Sequence, residues 1–168
     1  MSDSDRSRDI PHTEILEVAD VFSEILVYDV EASTIRCQPA VDSTKRVLMP
    51  VFGPGTDRLY YCAAEPQDSI FNIRYGLYSI PFDPSTGLCY GDSRCEIDPE
   101  EGSVSFPRVS YDGKFLVYSM GPYGYFHAWH KDSDLYILDL ETGEHRAMSE
   151  INSGDSESCH SWSLSDRW

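Results

Sequence analysis

The chain repeats itself, and that limits its folds more than any other feature. Pro50-Val-Phe-Gly-Pro-Gly-Thr-Asp-Arg-Leu-Tyr-Tyr-Cys62 lies over Pro107-Arg-Val-Ser-Tyr-Asp-Gly-Lys-Phe-Leu-Val-Tyr-Ser119 without a gap, at an offset of 107 − 50 = 57 residues. His160-Ser-Trp-Ser-Leu-Ser-Asp-Arg-Trp168 lies over residues 107–115, at an offset of 160 − 107 = 53. Each copy reads as strand, tight turn, strand. Asp112-Gly113 marks the turn in the second copy and Pro54-Gly55 in the first, because such turns need residues that tolerate or pre-set unusual φ. A unit of this length cannot bury an apolar face alone and must stack on its neighbours.

A second motif repeats in phase with the first. Ile25-Leu-Val-Tyr-Asp-Val-Glu-Ala-Ser33 lies over residues 135–143, at an offset of 110, and Leu77–Phe82 with its Asp83-Pro-Ser-Thr-Gly87 turn is the middle copy, two residues longer. The unit is therefore four short strands in two hairpins, A to D. They are expected at about 47–53, 58–63, 76–82 and 88–95, and again at 104–110, 114–120, 134–140 and 144–149. The chain opens on strands C and D of an earlier unit (24–30 and 34–38) and closes on strand A of a later one (158–163). Phe115-Leu-Val-Tyr118 and Leu135-Tyr-Ile-Leu138 are apolar without alternation, which suits sheets buried on both faces rather than a lone meander. Four antiparallel strands per repeat, stacked face to face, are the blades of a β-propeller.

The predicted class is all-β, a partial β-propeller of about two full blades plus two part-blades. Residues 1–20 form a polar tail and lead-in. Residues 21–168 divide into units at about 21–46 (part), 47–103, 104–157 and 158–168 (part). Ile15, Leu16, Val18, Ala19, Val21 and Phe22 suit a helical turn or an edge strand equally. Propellers close with about four to eight blades. The expectation is thus a piece of a larger propeller, or a composite blade in which the opening C and D strands meet the closing A strand, within one chain or across chains. Open blade edges invite self-association.

These repeats resemble the TolB-like β-propeller family, whose blades carry a Ser-Pro-Asp-Gly turn, a Leu-Val-Tyr strand, an Asp-Leu-Tyr strand and an Asp-x-x-Thr-Gly turn. The corresponding segments are Ser110-Tyr-Asp-Gly113, Leu116-Val-Tyr118, Asp134-Leu-Tyr136 and Asp139-Leu-Glu-Thr-Gly143. Ser103-Val-Ser-Phe-Pro-Arg108, His127-Ala-Trp-His-Lys131 and Ser158-Cys-His-Ser-Trp162 are similar to phrases in uncharacterised bacterial members. No copy keeps an intact Ser-Pro-Asp-Gly: Tyr111 replaces its proline, and the other turns read Gly53-Pro-Gly-Thr56 and Ser163-Leu-Ser-Asp166. The resemblance implies an exported or lipid-anchored protein, periplasmic or at the cell envelope. The polar N-terminus, Met1–Ile10, lacks the apolar core of a signal peptide and by itself points to the cytoplasm. A shared propeller says little about function, because the fold hosts many.

Composition narrows the partners. Lys plus Arg is 13 and Asp plus Glu 29, a net charge of −16. Nucleic-acid binders need clustered cations to neutralise phosphates, so this balance argues against nucleic acid. It argues equally against anionic membrane surfaces, and no run approaches the roughly 18 apolar residues of a membrane span. Cys37, Cys62, Cys89, Cys95 and Cys159 contain no Cys-x-x-Cys pair, so neither a zinc ribbon nor a disulfide framework is indicated. Cys89 and Cys95 are the candidates to pair in an oxidising compartment.

Blade topology puts the B–C and D–A loops on one face. The B–C loops are long, about 64–75 and 121–133, and long loops on a rigid scaffold carry function. The second, Gly121-Pro-Tyr-Gly-Tyr-Phe-His-Ala-Trp-His-Lys-Asp-Ser133, is aromatic and histidine-rich. The D–A loop 152–160 opens on the same face, so His127, His130, Asp132, Asp155, Glu157, Cys159 and His160 are candidates to converge. Imidazole and carboxylate would make a divalent-metal site of His127, His130, Asp132 and His160. Alternatively Tyr123, Tyr125, Phe126 and Trp129 pack the loop down and the histidines bond to backbone. A patch binding a protein, peptide or glycan fits amphipathic aromatics better than the metal does. Its expected members are Tyr123, Tyr125, Phe126, His127, Trp129, His130, His160 and Arg108, with Arg108 and Ser161 at equivalent strand A positions facing a central channel.

No cofactor is indicated and no catalytic residue can be named. There is no Gly-x-Ser-x-Gly elbow (Gly91-Asp-Ser-Arg-Cys95 fails at its last position), no His-Glu-x-x-His and no phosphate-cradling loop. The leading expectation is a non-enzymatic binding or scaffolding module. The alternative is a fragment of an enzyme that carries a propeller, either peptidase-gating or glycan-active.

Overall fold

The computed structural model of the protein describes residues 22–166. The tail over 1–20 and the ambiguous segment over 15–21 lie outside these residues. The protein is all-β, a partial β-propeller. A part-blade pairs β1 (Leu26–Asp29) with β2 (Thr34–Cys37). Blade one contains β3 (Arg46–Phe52), β4 (Arg58–Ala64), β5 (Gly76–Asp83), β6 (Leu88–Cys89) and β7 (Arg94–Ile97). Blade two contains β8 (Ser103–Val109), β9 (Phe115–Gly121), β10 (Asp134–Asp139) and β11 (His145–Ala147). All pairings are antiparallel between chain neighbours, except that β7 joins β5.

Local chemistry sets the hairpins. At the C–D turns an aspartate carboxylate accepts from the next turn's backbone: Asp29 from the Ala32 N–H, Asp83 from Ser85 and Asp139 from Glu141, each at 2.9 Å. The turns close on a left-handed residue, Ser33, Gly87 or Gly143. An Asx turn of this kind pre-forms the reversal before the strands meet. The expected single strand at 88–95 is instead two. The longer middle copy carries β5 outward to Phe82 and Asp83, which pair with Cys89 and Leu88. Ser79, nearer the blade's interior, pairs with Arg94. The register slips by two residues between these pairs, and residues 91–93 leave the sheet, with Gly91 at φ +69°.

Burial explains the missing alternation. Along β4, Tyr60, Cys62 and Ala64 face blade two, where they pack with Val104, Leu116, Tyr118 and Leu138. Leu59, Tyr61 and Ala63 face the part-blade with Ile25, Val41, Ile80 and Phe82. Blade one is thus a sandwich filling, apolar on both sides. All five cysteines are free; burial pushes the Cys89 thiol up to about 11 and that of wholly buried Cys62 further.

The closing strand expected at 158–163 does not form. Residues 157–162 have no ladder partner among the described residues. Their backbone nevertheless repeats the blade's start. β3 and β8 each carry a bulge, at Met49 (φ +51°) and Phe106 (φ +52°), and Cys159 (φ +56°) occupies the same place in the third copy. The A–B turns recur too: Thr56, Gly113 and Asp166 all have positive φ, and each donates its N–H to a carbonyl three residues back. Bulge and turn are local and form without a neighbour. A strand ladder is not local and needs a partner strand.

Candidate functional site

The two B–C loops meet. Residues 65–75 turn once in a short 3-10 segment at Ile70–Asn72, and residues 122–133 in another at His127–Trp129. Arg74 bridges to Gly124 in parallel register, and the Gly124 N–H donates to Ile73 O at 2.8 Å. Tyr123 sits between Phe71 (centroids 5.1 Å apart) and the His130 ring (4.7 Å), and Tyr125 packs edge-on against buried Tyr75. The joined loops leave Phe71, Phe126 and Trp129 exposed, at 66%, 38% and 60%. Phe71, from the plainer first loop, is a member that sequence reasoning missed. Only the pairing of the loops reveals it.

Two of the histidines, His127 and His160, are tied into the fold by hydrogen bonds. His127 is fully buried on the outer face of blade two, opposite the inter-blade core. Its Nδ1 lies 2.7 Å from Ser105 Oγ. Ser133 and Ser156 both donate to the His127 carbonyl oxygen, at 2.9 and 2.5 Å. Burial, and secondarily the nearby His130, pushes His127 down to about 4, so it is neutral at ordinary pH. The Ser119 hydroxyl donates to Glu157 O and the Glu157 N–H to Ser133 O, both at 3.1 Å. His160 Nε2 is 3.0 Å from Val117 O, and burial lowers its pKa as well. The loops 121–133 and 152–160 therefore do come together, through serine hydroxyls and backbone. Asp132 is exposed, Asp155 pairs loosely with Lys131 at 3.7 Å, and Cys159 is exposed. Among the described residues no three His, Cys, Asp or Glu side chains stand as a metal site, so His127, His130, Asp132 and His160 are not one ligand set here.

A Ser105–His127 pair 2.7 Å apart has the spacing of a nucleophile and its base. Both residues are sealed from solvent, at 0% exposure, so no substrate reaches them. Arg108 is exposed, with Nη1 donating to Pro107 O, and its own carbonyl accepts from Trp162 Nε1 at 2.9 Å. Ser161 is exposed as well. The serines were invisible to motif reading because single serines recur throughout the chain. Only the fold shows that three of them converge on one histidine, while a fourth, Ser119, holds the facing loop at Glu157.

No family's sequence profile matches the chain, and no curated protein matches it by sequence. Solved structures do. An oligogalacturonate lyase in complex with manganese aligns over 84% of this chain and 35% of its own, at 16% identity and TM-score 0.50. A puromycin hydrolase complexed with PGG aligns over 68% and 18%, at 19% identity and TM-score 0.50. The β-propeller domain of the Trilobed protease from Pyrococcus furiosus aligns over 74% and 32%, at 15% identity and TM-score 0.43. The chain thus spans about a sixth to a third of the solved proteins it resembles. Such identities speak for the fold, and a partial β-propeller is the class of protein that the repeated sheets define. Among the described residues, no helix is long and apolar enough to cross a membrane.

Proposed function

We propose that the chain is a non-enzymatic binding module of propeller type, which engages a protein, peptide or glycan through the face bearing the B–C and D–A loops. The observation that carries this reading is the exposed aromatic surface of the joined loops, Phe71, Phe126 and Trp129, with Phe71 packed on the clamped Tyr123. Exposed aromatics held on a rigid frame cost little entropy to dock and form interface anchors. The buried serine–histidine network underneath fixes the loop that presents them. The resemblance to TolB-like repeats adds a finer reading, that the module works at the cell envelope.

Panning a random-peptide display library and a glycan array against the whole chain tests this, with Phe71→Ala/Trp129→Ala as the counter-screen. The expected result is ligands that bind the wild-type chain and lose at least about tenfold against the double variant, as the removal of anchor residues predicts. Ligands indifferent to the double variant, or turnover of chromogenic peptide or glycoside substrates, would overturn it in favour of another surface or of an enzyme.

A further inference from the structure

The repeat exposes one residue that breaks its own pattern. Strand A enters blade two at Ser103, which is fully buried and satisfied: its hydroxyl accepts from the Tyr75 N–H at 2.9 Å and donates to Gly124 O. The equivalent residue in blade one, 57 positions earlier, is Arg46. A five-donor cation stands where the other blade has a small hydroxyl. Arg46 is only 8% exposed. Its Nη2 donates to Gln67 O at 3.2 Å, and its buried Nε–H has no acceptor. Among the described residues no carboxylate pairs with it, and neighbouring Glu65 is held by Lys45 at 3.0 Å. Among the described residues this buried cation has no counter-charge, and a buried charge is costly unless something supplies its opposite.

Arg46 lines a cavity of about 100 Å³ at the loop-bearing end of the blades, together with Ser23, Val47, Leu48, Tyr75 and Tyr125. Ser23 is held there by accepting from the Val47 N–H at 2.7 Å. Tyr125 belongs to the same loop as the exposed aromatics. The volume is about that of three liquid waters, room for a carboxylate and the carbon bearing it. The planar fork of arginine matches a carboxylate, and the tyrosine and leucine walls suit an apolar or ring-bearing substituent. A chain of net charge −16 repels polyanions at long range, which favours a single carboxylate over a phosphate-rich ligand.

We propose that Arg46 and the tyrosine-walled cavity beside it form a carboxylate subsite, which receives the terminal carboxylate of a peptide or the acid group of a uronic sugar. The inference rests on the loop face being the binding face, and it names the ligand group that face takes.

Calorimetric titration of the whole chain tests it with two acids and their neutral counterparts: N-acetyl-L-phenylalanine against its amide, and D-glucuronate against methyl glucoside. At least one acid is expected to saturate below about 10 mM, with its neutral counterpart at least about tenfold weaker. Binding of the amino acid alone assigns a peptide terminus, of glucuronate alone a sugar acid, and of both the carboxylate itself. Arg46→Gln should lose at least about tenfold and Arg46→Lys should not restore it, because lysine lacks the fork. If Arg46→Gln does not fold, Arg46→Ser, which carries the side chain blade two uses at this corner, serves instead. Failure of both acids to saturate, equal binding of acid and neutral compound, or unchanged binding by the folded Arg46 variant would overturn the subsite. The Phe71→Ala/Trp129→Ala variant separates the two readings. Library ligands that depend on it while neither acid binds would leave the loop face standing and remove the subsite alone.

Discussion

Blade two has two faces of opposite character. The inner face, toward blade one, is Val104, Leu116, Tyr118 and Leu138, an apolar surface locked into the shared core. The outer face, one residue out of phase on the same strands, is Ser105, Ser119 and Val117, covered by His127, Ser133, Ser156 and His160. Both are buried, but for different ends. Apolar burial on the inner side is non-directional and holds the blades together. The outer side spends its burial on directional bonds that place one loop, and directional bonds specify a position more than they stabilise a fold. Stability and loop placement are therefore separable, by substitution and by pH.

The largest effect belongs to the inner face. Tyr118 is fully buried, stacked on Tyr136 at 5.6 Å, with its hydroxyl 2.9 Å from His145 Nδ1. Tyr118→Ala should cost about 4 kcal/mol in urea unfolding at neutral pH, whereas Tyr118→Phe, which loses only the hydroxyl contact, should cost about 1 kcal/mol. Equal losses would mean that the polar contact, not packing, holds this side.

Acid should strike the outer face selectively. The His127 ring is neutral when folded, with a pKa pushed down to about 4, while in the unfolded chain it titrates near 6.5. Below 6.5 the unfolded chain takes up a proton that the folded ring refuses, so stability is full above that pH and is lost as pH falls toward 4. The interval corresponds to about 3 kcal/mol. His160, also lowered by burial, acts with the same sign. Urea midpoints between pH 7.5 and 4.5 should fall for the wild-type chain and fall less for His127→Gln, His160 carrying what remains. An acid limb undiminished by this substitution would place the sensitive group elsewhere.

Ser105→Ala is the next step down. It strips the hydroxyl from buried His127 Nδ1 and should cost about 2 kcal/mol, the range for a buried polar group left unpaired. Because the loop above depends on that bond, binding by the aromatic surface should weaken along with stability. Intact binding despite the lost stability would show that the loop holds its place by its aromatic packing alone.

Sequence reached some of this and not the rest, for reasons of range. The blades were legible because strand, turn and hairpin are local, and the repeat printed them more than once. The fracture of β6 from β7 was not, because it follows from a two-residue lengthening whose consequence depends on where β5 meets its partner. The loop aromatics Tyr123, Tyr125, Phe126 and Trp129 could be named, but not which of them face solvent. The histidines drew attention as ligands because imidazole is rare. The serines that in fact engage His127 are too common to be noticed. Arg46 was readable in principle, as the charged residue standing where the other copy has Ser103, but its burial is a fact of packing.

The smallest effect tests the repeat against itself. The A–B turns of the two blades place Thr56 and Gly113 at the same left-handed position, φ +51° and +72°. Glycine adopts that region without strain, whereas a β-branched residue is a genuine outlier there. Thr56→Gly relieves strain on the order of 1–2 kcal/mol and loses about 0.5–1 kcal/mol through the greater freedom of the unfolded chain. The balance is a gain of about 0.5 kcal/mol in urea unfolding. Gly113→Thr should do the reverse and more, because a Cβ there lies 3.0 Å from Pro54 Cγ, the neighbouring blade's turn. That contact ties the two turns physically as well as by sequence. A side chain at 113 pushes on blade one, so its cost should exceed the Thr56 gain several-fold. If the two substitutions prove equal and opposite, the turns act independently and the blades communicate only through the apolar core.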